Sequence, residues 1–264
     1  MAGISLQQAV VTNTGFEHDR RWMLIDENNR FISQREANEM ALMKIAVAED
    51  GLAVTYKQER MLVPFNNGPN TDKGRTTVTV WDDTCGAEYV NPVVDQWFSD
   101  ILGLKCRLVY MPDDVKRIVD QRYAPEHSVT SFSDAYPYMI IGQASLDDLN
   151  SRLDESLPMN RFRPNIVFTG GLPFEEDLMA NITIGSINFY GVKLCARCIM
   201  TTINQDNASR GKEPLKTLAS YRQKNNKIYF GQNLIHEGSG IISVGDTLEV
   251  LELNREERFM VPLI

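Results

Sequence analysis

The sequence predicts a mainly β, α+β protein: an antiparallel, β-rich first lobe followed by a second lobe closer to a barrel than to a doubly wound sheet. Three observations point there. Short apolar stretches separated by turn residues fill the first eighty positions. Helical periodicity is confined to a few short segments. Neither a GxGxxG nor a Walker loop is present to open a nucleotide-binding sheet, and no internal repeat sets a solenoid period.

Taken in order, Gln8 to Thr12 is a short apolar stretch ended by the turn Thr14-Gly15. Trp22 to Ile25 is a strand, Asp26 to Asn29 a hairpin turn, and Phe31 to Ser33 the returning strand, with Gln34-Arg35 continuing it. Met43 to Ala48, Leu52 to Tyr56, Met61 to Pro64 and Thr76 to Trp81 continue the hairpins, and Asn66 to Asn70 is a loop. Pro92 opens a helix to Leu102, with Val93, Val94, Trp97, Phe98 and Ile101 as its apolar stripe. Leu108 to Tyr110 is a strand, and the polar stretch Pro112 to His127 divides the lobes, giving units over 1–112 and 113–255 with a tail over 256–264.

In the second lobe Tyr138 to Ile141 reads as a strand, and Ser145 with Asp148 as a capping box for a helix carrying Leu146, Leu149 and Leu153. Ile166 to Phe168 ends at Gly170-Gly171, Ile182 to Tyr190 is a hairpin region, and Pro214 starts a helix through Leu215 and Leu218. Ile228 to Phe230 and Ile241 to Leu251, turning at Gly245-Asp246, close the chain.

A net charge of −8 argues against nucleic-acid binding, which normally needs a basic excess. No apolar run approaches the roughly 20 residues that cross a bilayer, and the first residues lack the basic and apolar regions of a signal peptide. Four cysteines are too few for a disulfide scaffold, and two form a close pair, a usage that fits the reducing cytoplasm. Arginines gather in short clusters, so an acidic chain carries local anion-binding potential; surface ion pairing explains the same clusters equally well.

Cys195-Ala196-Arg197-Cys198 is the sharpest feature. An adjacent arginine favours the thiolate, the form that binds soft metals. Spacing alone leaves open a zinc site, for which Cys85 and Cys106 supply no second CxxC. It also leaves open a thioredoxin-like dithiol, disfavoured by the β-prone Ile199 to Ile203, and two inert buried cysteines. Arg161 and Arg163, two apart in an extended segment stiffened by Pro164, would face one side and grip phosphate with forked bonds; Asn165 would donate to an anion or read a ring edge. A solvated strand-entry turn accounts for that segment as well. Arg20, in His18-Asp19-Arg20-Arg21, and Arg35 would enter one pocket if the first hairpin closes. The His18-Asp19 pair has no nucleophile tied to it for general-base work.

Together these segments resemble the MOSC family (molybdenum cofactor sulfurase C-terminal domain) preceded by its N-terminal β-barrel-like domain. The matching stretches are Gly15 to Met23, Ser33-Gln34-Arg35, Phe162 to Asn165, Cys195 to Cys198, Glu213 to Leu218, Phe230 to Leu234 and Val244-Gly245-Asp246, in family order over nearly the whole chain. The similar subgroup contains bacterial reductases of N-hydroxylated base analogues and the mitochondrial amidoxime-reducing component. The resemblance implies a pterin-based molybdenum cofactor (molybdopterin) held between the lobes, with Cys198 as metal ligand and catalytic residue. Arg163 and Asn165 would contact the cofactor and Arg20 its phosphate end. Arg35 and Arg197 are counted with them, and Asp134 and Tyr136 would line the pocket.

The chain departs from the family in three places. A strand ending Pro-Val-Lys-Ser, which helps hold the phosphate, does not stand ahead of Gly3, which implies either a truncated start or a weaker hold on the cofactor. The loop Ser133 to Pro137 lacks the threonine-serine of the mitochondrial form. No cysteine follows Cys198, where some bacterial relatives carry a ferredoxin domain, so electrons would come from a separate ferredoxin- or flavoprotein-like donor. The function implied is reduction of small N-hydroxylated compounds. The alternative is a sulfur-carrier or cofactor-delivery module with a persulfide on Cys198.

Overall fold

A computed structural model describes residues 1–65, 74–125 and 127–261. The loop expected at Asn66 to Asn70 lies outside the described residues.

The first lobe has two sheets around one helix. Strands Trp22–Ile25, Arg107–Tyr110, Asp83–Tyr89 and Arg75–Val80 lie side by side in that order, all antiparallel. Strands Lys44–Val47, Gly51–Tyr56 and Glu59–Pro64 form an antiparallel meander. Strand alternation divides the side chains between two cores: Leu24 and Leu108 face one, Met23, Ile25 and Val109 the other. Helix α1 spans Pro92–Leu102 and fills the first core with Val94 and Phe98. Its ends follow from local chemistry. The Asn91 side chain accepts from Val93 N (2.8 Å), Pro92 needs no amide partner, and Gly103 turns left-handed (φ 63°) to stop it. Val93, expected in the buried stripe, is exposed. The strand expected at Phe31 to Ser33 reduces to a bridge between Ile25 and Phe31, and Gln34-Arg35 lies in a turn instead.

The second lobe is built on seven strands, six of them in the order Ile166–Phe168, Tyr138–Gly142, Lys227–Glu237, Ile187–Ala196, Met179–Ile184 and Leu248–Leu253. The first pair is parallel, joined through helix α2 (Gln143–Asn150). Gly142 is the N-cap of α2; Ser145 sits inside the helix, where its hydroxyl donates to buried Glu176 (2.7 Å) and accepts from Phe174 N (2.7 Å), so the expected capping box does not form. Helices α2 and α3 (Leu215–Tyr221) cover one face through Leu146, Leu149, Leu218 and Tyr221. The other face is closed by a small sheet, Gly240–Ser243, Gln8–Thr12 and Gly15–Phe16, whose Ile242, Val11 and Phe16 complete a core around Tyr138, Phe189 and Leu234. The opening strands of the chain therefore cross to the second lobe, and the spatial division differs from the linear one over 1–112. Among the described residues no helix is long and apolar enough to cross a membrane.

Gly191 marks the tightest point of this sheet. A Cβ there would lie 2.0 Å from Met179 O and 2.5 Å from Gln232 Nε2, beside a register shift in the pairing with Lys227–Glu237. Gly191→Ala is expected to lower stability by roughly 1–3 kcal/mol through overpacking. An unchanged urea midpoint would show that the two strands can separate without cost.

Candidate functional site

The strand Ile187–Ala196 delivers the cysteine pair to the groove between the lobes. Its last pairing is Ala196 with Tyr229, after which Arg197 N still donates to Ile228 O (2.7 Å). Cys198 is extended (φ −125°, ψ 178°), and the chain then tightens into a 3₁₀ turn, Ile199–Thr202, where β structure was expected. The turn pins Cys198: its carbonyl accepts from Thr201 N (3.2 Å) and Thr201 Oγ1 (3.0 Å). With the backbone fixed, Sγ meets Arg35 Nη2 at 3.0 Å.

Arg35 comes from the first lobe on a self-capped turn. The Ser33 N and Oγ both donate to Glu36 Oε2 (3.0 and 2.6 Å), and Ser33 Oγ accepts from Arg35 N (3.2 Å). Gln34 and Gln205 exchange reciprocal amide bonds (3.3 and 3.1 Å), and Ala41 packs with Ile203 and Ala208, so this turn is docked on the second lobe. The Arg35 guanidinium stacks over Trp81 (4.3 Å to the ring centroid).

The two arginines of the Arg161 to Asn165 segment part company. Arg163 takes a left-handed conformation (φ 56°), so the expected same-side extended pair is not formed. Arg161 is buried and donates to Thr201 O (2.9 Å) and Glu213 O (3.1 Å), a strut under the cysteine turn. Arg163 turns into the groove, donates to Met1 O, and has its pKa pushed down to about 10 by burial and by nearby Arg20. Asn165 works as a tie: it exchanges bonds with the Met139 backbone (2.9 and 3.1 Å), and its Nδ2 donates to Asp19 Oδ2 (2.8 Å).

Arg20 is ion-paired with Asp19, and that carboxylate, followed by Asp134 and Cys195, outweighs burial and raises its pKa. Asp134 sits in the groove, accepting from Trp81 Nε1 (3.3 Å). Its loop is aimed by buried Arg117, which donates to Ser131 O (3.0 Å), Ser133 O (2.5 Å) and Asp83 Oδ2 (2.8 Å). Arg197 is a strut: it donates to Phe162 O (2.6 Å), Met139 Sδ (2.7 Å) and Cys195 Sγ (3.0 Å). Burial, more than Arg197 offsets, pushes the Cys195 thiol up. Tyr136 lies elsewhere: it is buried with Val119, Ala124, Val192 and Ile235, and burial raises its pKa, so the structure does not bring it to the groove. His18 stacks on Phe65 (4.0 Å) and has its pKa lowered by burial.

Cys198, Arg20, Arg35, Arg163, Arg197 and Asp134 thus converge, with Asp19 and Trp81 added and Arg117 and Arg161 supporting from behind. Sequence reasoning passed over Trp81 and Arg117, which carry no local signal; it took Arg161 as a phosphate grip rather than a strut and Asp19 only as the partner of His18. Two buried guanidinium nitrogens, Arg35 Nη1 and Arg197 Nε, have no partner among the described residues. Arginines outnumber carboxylates here, so the groove is an anion cradle with a soft sulfur at one wall. Among the described residues no cluster of three or more His, Cys, Asp and Glu side chains is placed to hold a metal, so the zinc reading gains no further ligands. Cys85 and Cys106 are buried in separate cores of the first lobe, with pKa values raised by burial.

Residues 127–249 match the MOSC domain and residues 1–105 the MOSC N-terminal beta barrel domain. Mitochondrial amidoxime-reducing component 1 of Mus musculus is 30% identical over 94% of this chain and 78% of its own length. The chain belongs to the MOSC family. Other MOSC relatives are mitochondrial amidoxime reducing component 2 of Bos taurus, 31% identical over 92% of this chain and 77% of its own length. Molybdenum cofactor sulfurase of Arabidopsis thaliana is 28% identical over 89% of this chain but only 31% of its own length. The MOSC match runs on both sides of the groove, with Arg20 and Arg35 inside the first match and Arg163 and Cys198 inside the second.

Proposed function

We propose that this protein is a molybdenum-cofactor-binding oxidoreductase that reduces N-hydroxylated compounds with electrons from a separate ferredoxin- or flavoprotein-like donor. The observation that carries this reading is the Cys198 sulfur exposed to a cradle of arginines with two buried N–H donors unpartnered. A group with an anionic end and a soft metal fits that donor set: a sulfur for the metal, and guanidinium forks for phosphate. The relatives named for amidoxime reduction support the reaction type.

Cys198 would ligate the metal, its backbone held by Thr201 so that the sulfur needs no rearrangement. Arg20 and Arg163 would neutralise the anionic end, and Asn165 with Asp19 would keep Arg20 and the Met139 strand in register across the groove. The cofactor, when bound, supplies the redox-active metal and relays the electron pair. The overall change balances as R–NHOH with two electrons and two protons giving R–NH₂ and water. Cys198→Ala is expected to abolish bound molybdenum and to cut turnover of an N-hydroxylated substrate at least about 100-fold, the scale of losing a metal-holding group. Metal analysis and turnover equal to wild type would overturn the reading.

The sulfurase match favours one second reading, a sulfur-carrier or cofactor-delivery module with a persulfide on Cys198. Non-reducing mass spectrometry separates the two. An adduct of about 32 Da, one sulfur atom, on Cys198 without metal would select the carrier.

A further inference from the structure

The hairpin joining Arg75–Val80 to Asp83–Tyr89 has two central residues, Trp81 and Asp82, and Trp81 has φ 58°. Two-residue hairpins favour glycine at such a position. A bulky side chain there is a true outlier. A residue that bears such strain is held by what its side chain does.

The indole makes three contacts. Its ring lies 4.3 Å beneath the Arg35 guanidinium. Its edge meets Phe31, with centroids 4.8 Å apart at 61°. Its Nε1 donates to Asp134 Oδ1 (3.3 Å). Above it, Arg35 Nη2 donates to Cys198 Sγ (3.0 Å) while Nη1 is buried and unpartnered. The sulfur and the indole are the side-chain partners of the Arg35 guanidinium among the described residues. A long side chain arriving on a turn, with no carboxylate to grip its fork, takes its plane from the aromatic face beneath it.

We propose that Trp81 is a positioning residue. It holds the Arg35 guanidinium flat, so that one N–H edge meets the Cys198 sulfur and the other faces the cradle as an anion donor. Phe31 and Asp134 fix the indole, the indole fixes the guanidinium, and the guanidinium N–H fixes the orientation of the sulfur. The inference rests on Cys198 being the working sulfur of the groove, whichever of the two functional readings holds.

The test is site-resolved alkylation of the full chain, produced in cells that cannot make a pterin cofactor, with iodoacetamide at one pH and mass spectrometry of the Cys195 and Cys198 peptides. Trp81→Leu is expected to slow Cys198 alkylation about three- to fivefold as the N–H that aims the sulfur is lost, the scale of one solvent-exposed cation–π contact, while Cys195 keeps its wild-type rate. Trp81→Phe keeps the aromatic face and should stay within about twofold of wild type on the same scale. Trp81→Asn tolerates a left-handed backbone and serves as the folded loss-of-face variant should leucine impair folding. A general loosening of the groove would move both cysteines together. Parallel changes at Cys195 and Cys198, or an unchanged Cys198 rate in the leucine and asparagine variants, would overturn the proposal. Metal retention by Cys198→Ala would sink the oxidoreductase reading and leave this result standing.

Discussion

Arg222→Met is expected to destabilise the protein by about 3–5 kcal/mol, the cost of leaving a buried charge without its partner. Arg222 is 1% exposed, the largest fully buried side chain among the described residues. It pairs with Asp177, stacks over Phe174 at 4.2 Å and donates from Nε to Tyr229 O (3.3 Å). Asp177 is 3% exposed, and among the described residues its Oδ1 has no partner and Arg222 is its one counter-ion. Burial already pushes the Asp177 pKa up, and Arg222 pulls against it. Without the arginine the folded carboxyl stays protonated to a higher pH than in the unfolded chain. Relative to wild type, the destabilisation should therefore grow as pH rises above about 6, where the wild-type folded carboxyl ionises and the variant's does not, and shrink in acid. Urea unfolding at two pH values measures this. A loss below about 1 kcal/mol, the range of a solvated surface pair, or one independent of pH, would mean that water reaches the pair. Adding Asp177→Leu to the variant should restore most of the loss, because an apolar pair removes the stranded charge.

What could be read from the sequence depended on whether the determinants were local. Helix α1 was legible at both ends because Asn91, Pro92 and Gly103 each act on the neighbouring backbone. The strand Trp22–Ile25 was legible by composition, but its principal partner is Arg107–Tyr110, far along the chain, and no local signal announces that pairing. The same holds for Gln8–Thr12, whose place beside Gly240–Ser243 is set by a shared core around Val11 and Ile242. Cys198, Arg20, Arg35 and Arg163, which the structure brings to one groove, were singled out because they sit in segments that resemble family motifs in family order. Misreadings came from backbone conformation: one left-handed residue at Arg163 separates it from Arg161, and one tight turn after Cys198 replaces the expected strand. Trp81 and Arg117 were invisible for a different reason. Each acts through a residue more than forty or about fifteen positions away, brought beside it only by the folded chain.

Arg163→Leu is expected to leave the cofactor-free protein at least as stable as wild type while weakening its hold on an anionic cofactor about 10- to 100-fold, the worth of one charge-assisted bond. The guanidinium is disfavoured where it stands: burial and then Arg20 bring its pKa down to about 10. For a base whose folded pKa is depressed, the cost of carrying the proton is fully present below the folded value and is relieved only as pH climbs from about 10 toward the unfolded one. At neutral pH the cofactor-free protein therefore bears the whole penalty of burying the Arg163 charge and of setting it beside Arg20. A bound phosphate would reverse its sign, because two neighbouring cations that repel each other both attract the same anion. Removing Arg163 thus trades affinity for stability, and the two must move in opposite directions. Thermal melts of the cofactor-free protein and pterin content after expression with the cofactor read the two quantities separately. A variant that melts lower yet retains full pterin would show that Arg163 serves to hold the Met1 carbonyl and the lobe interface, and that the anion is gripped by other arginines.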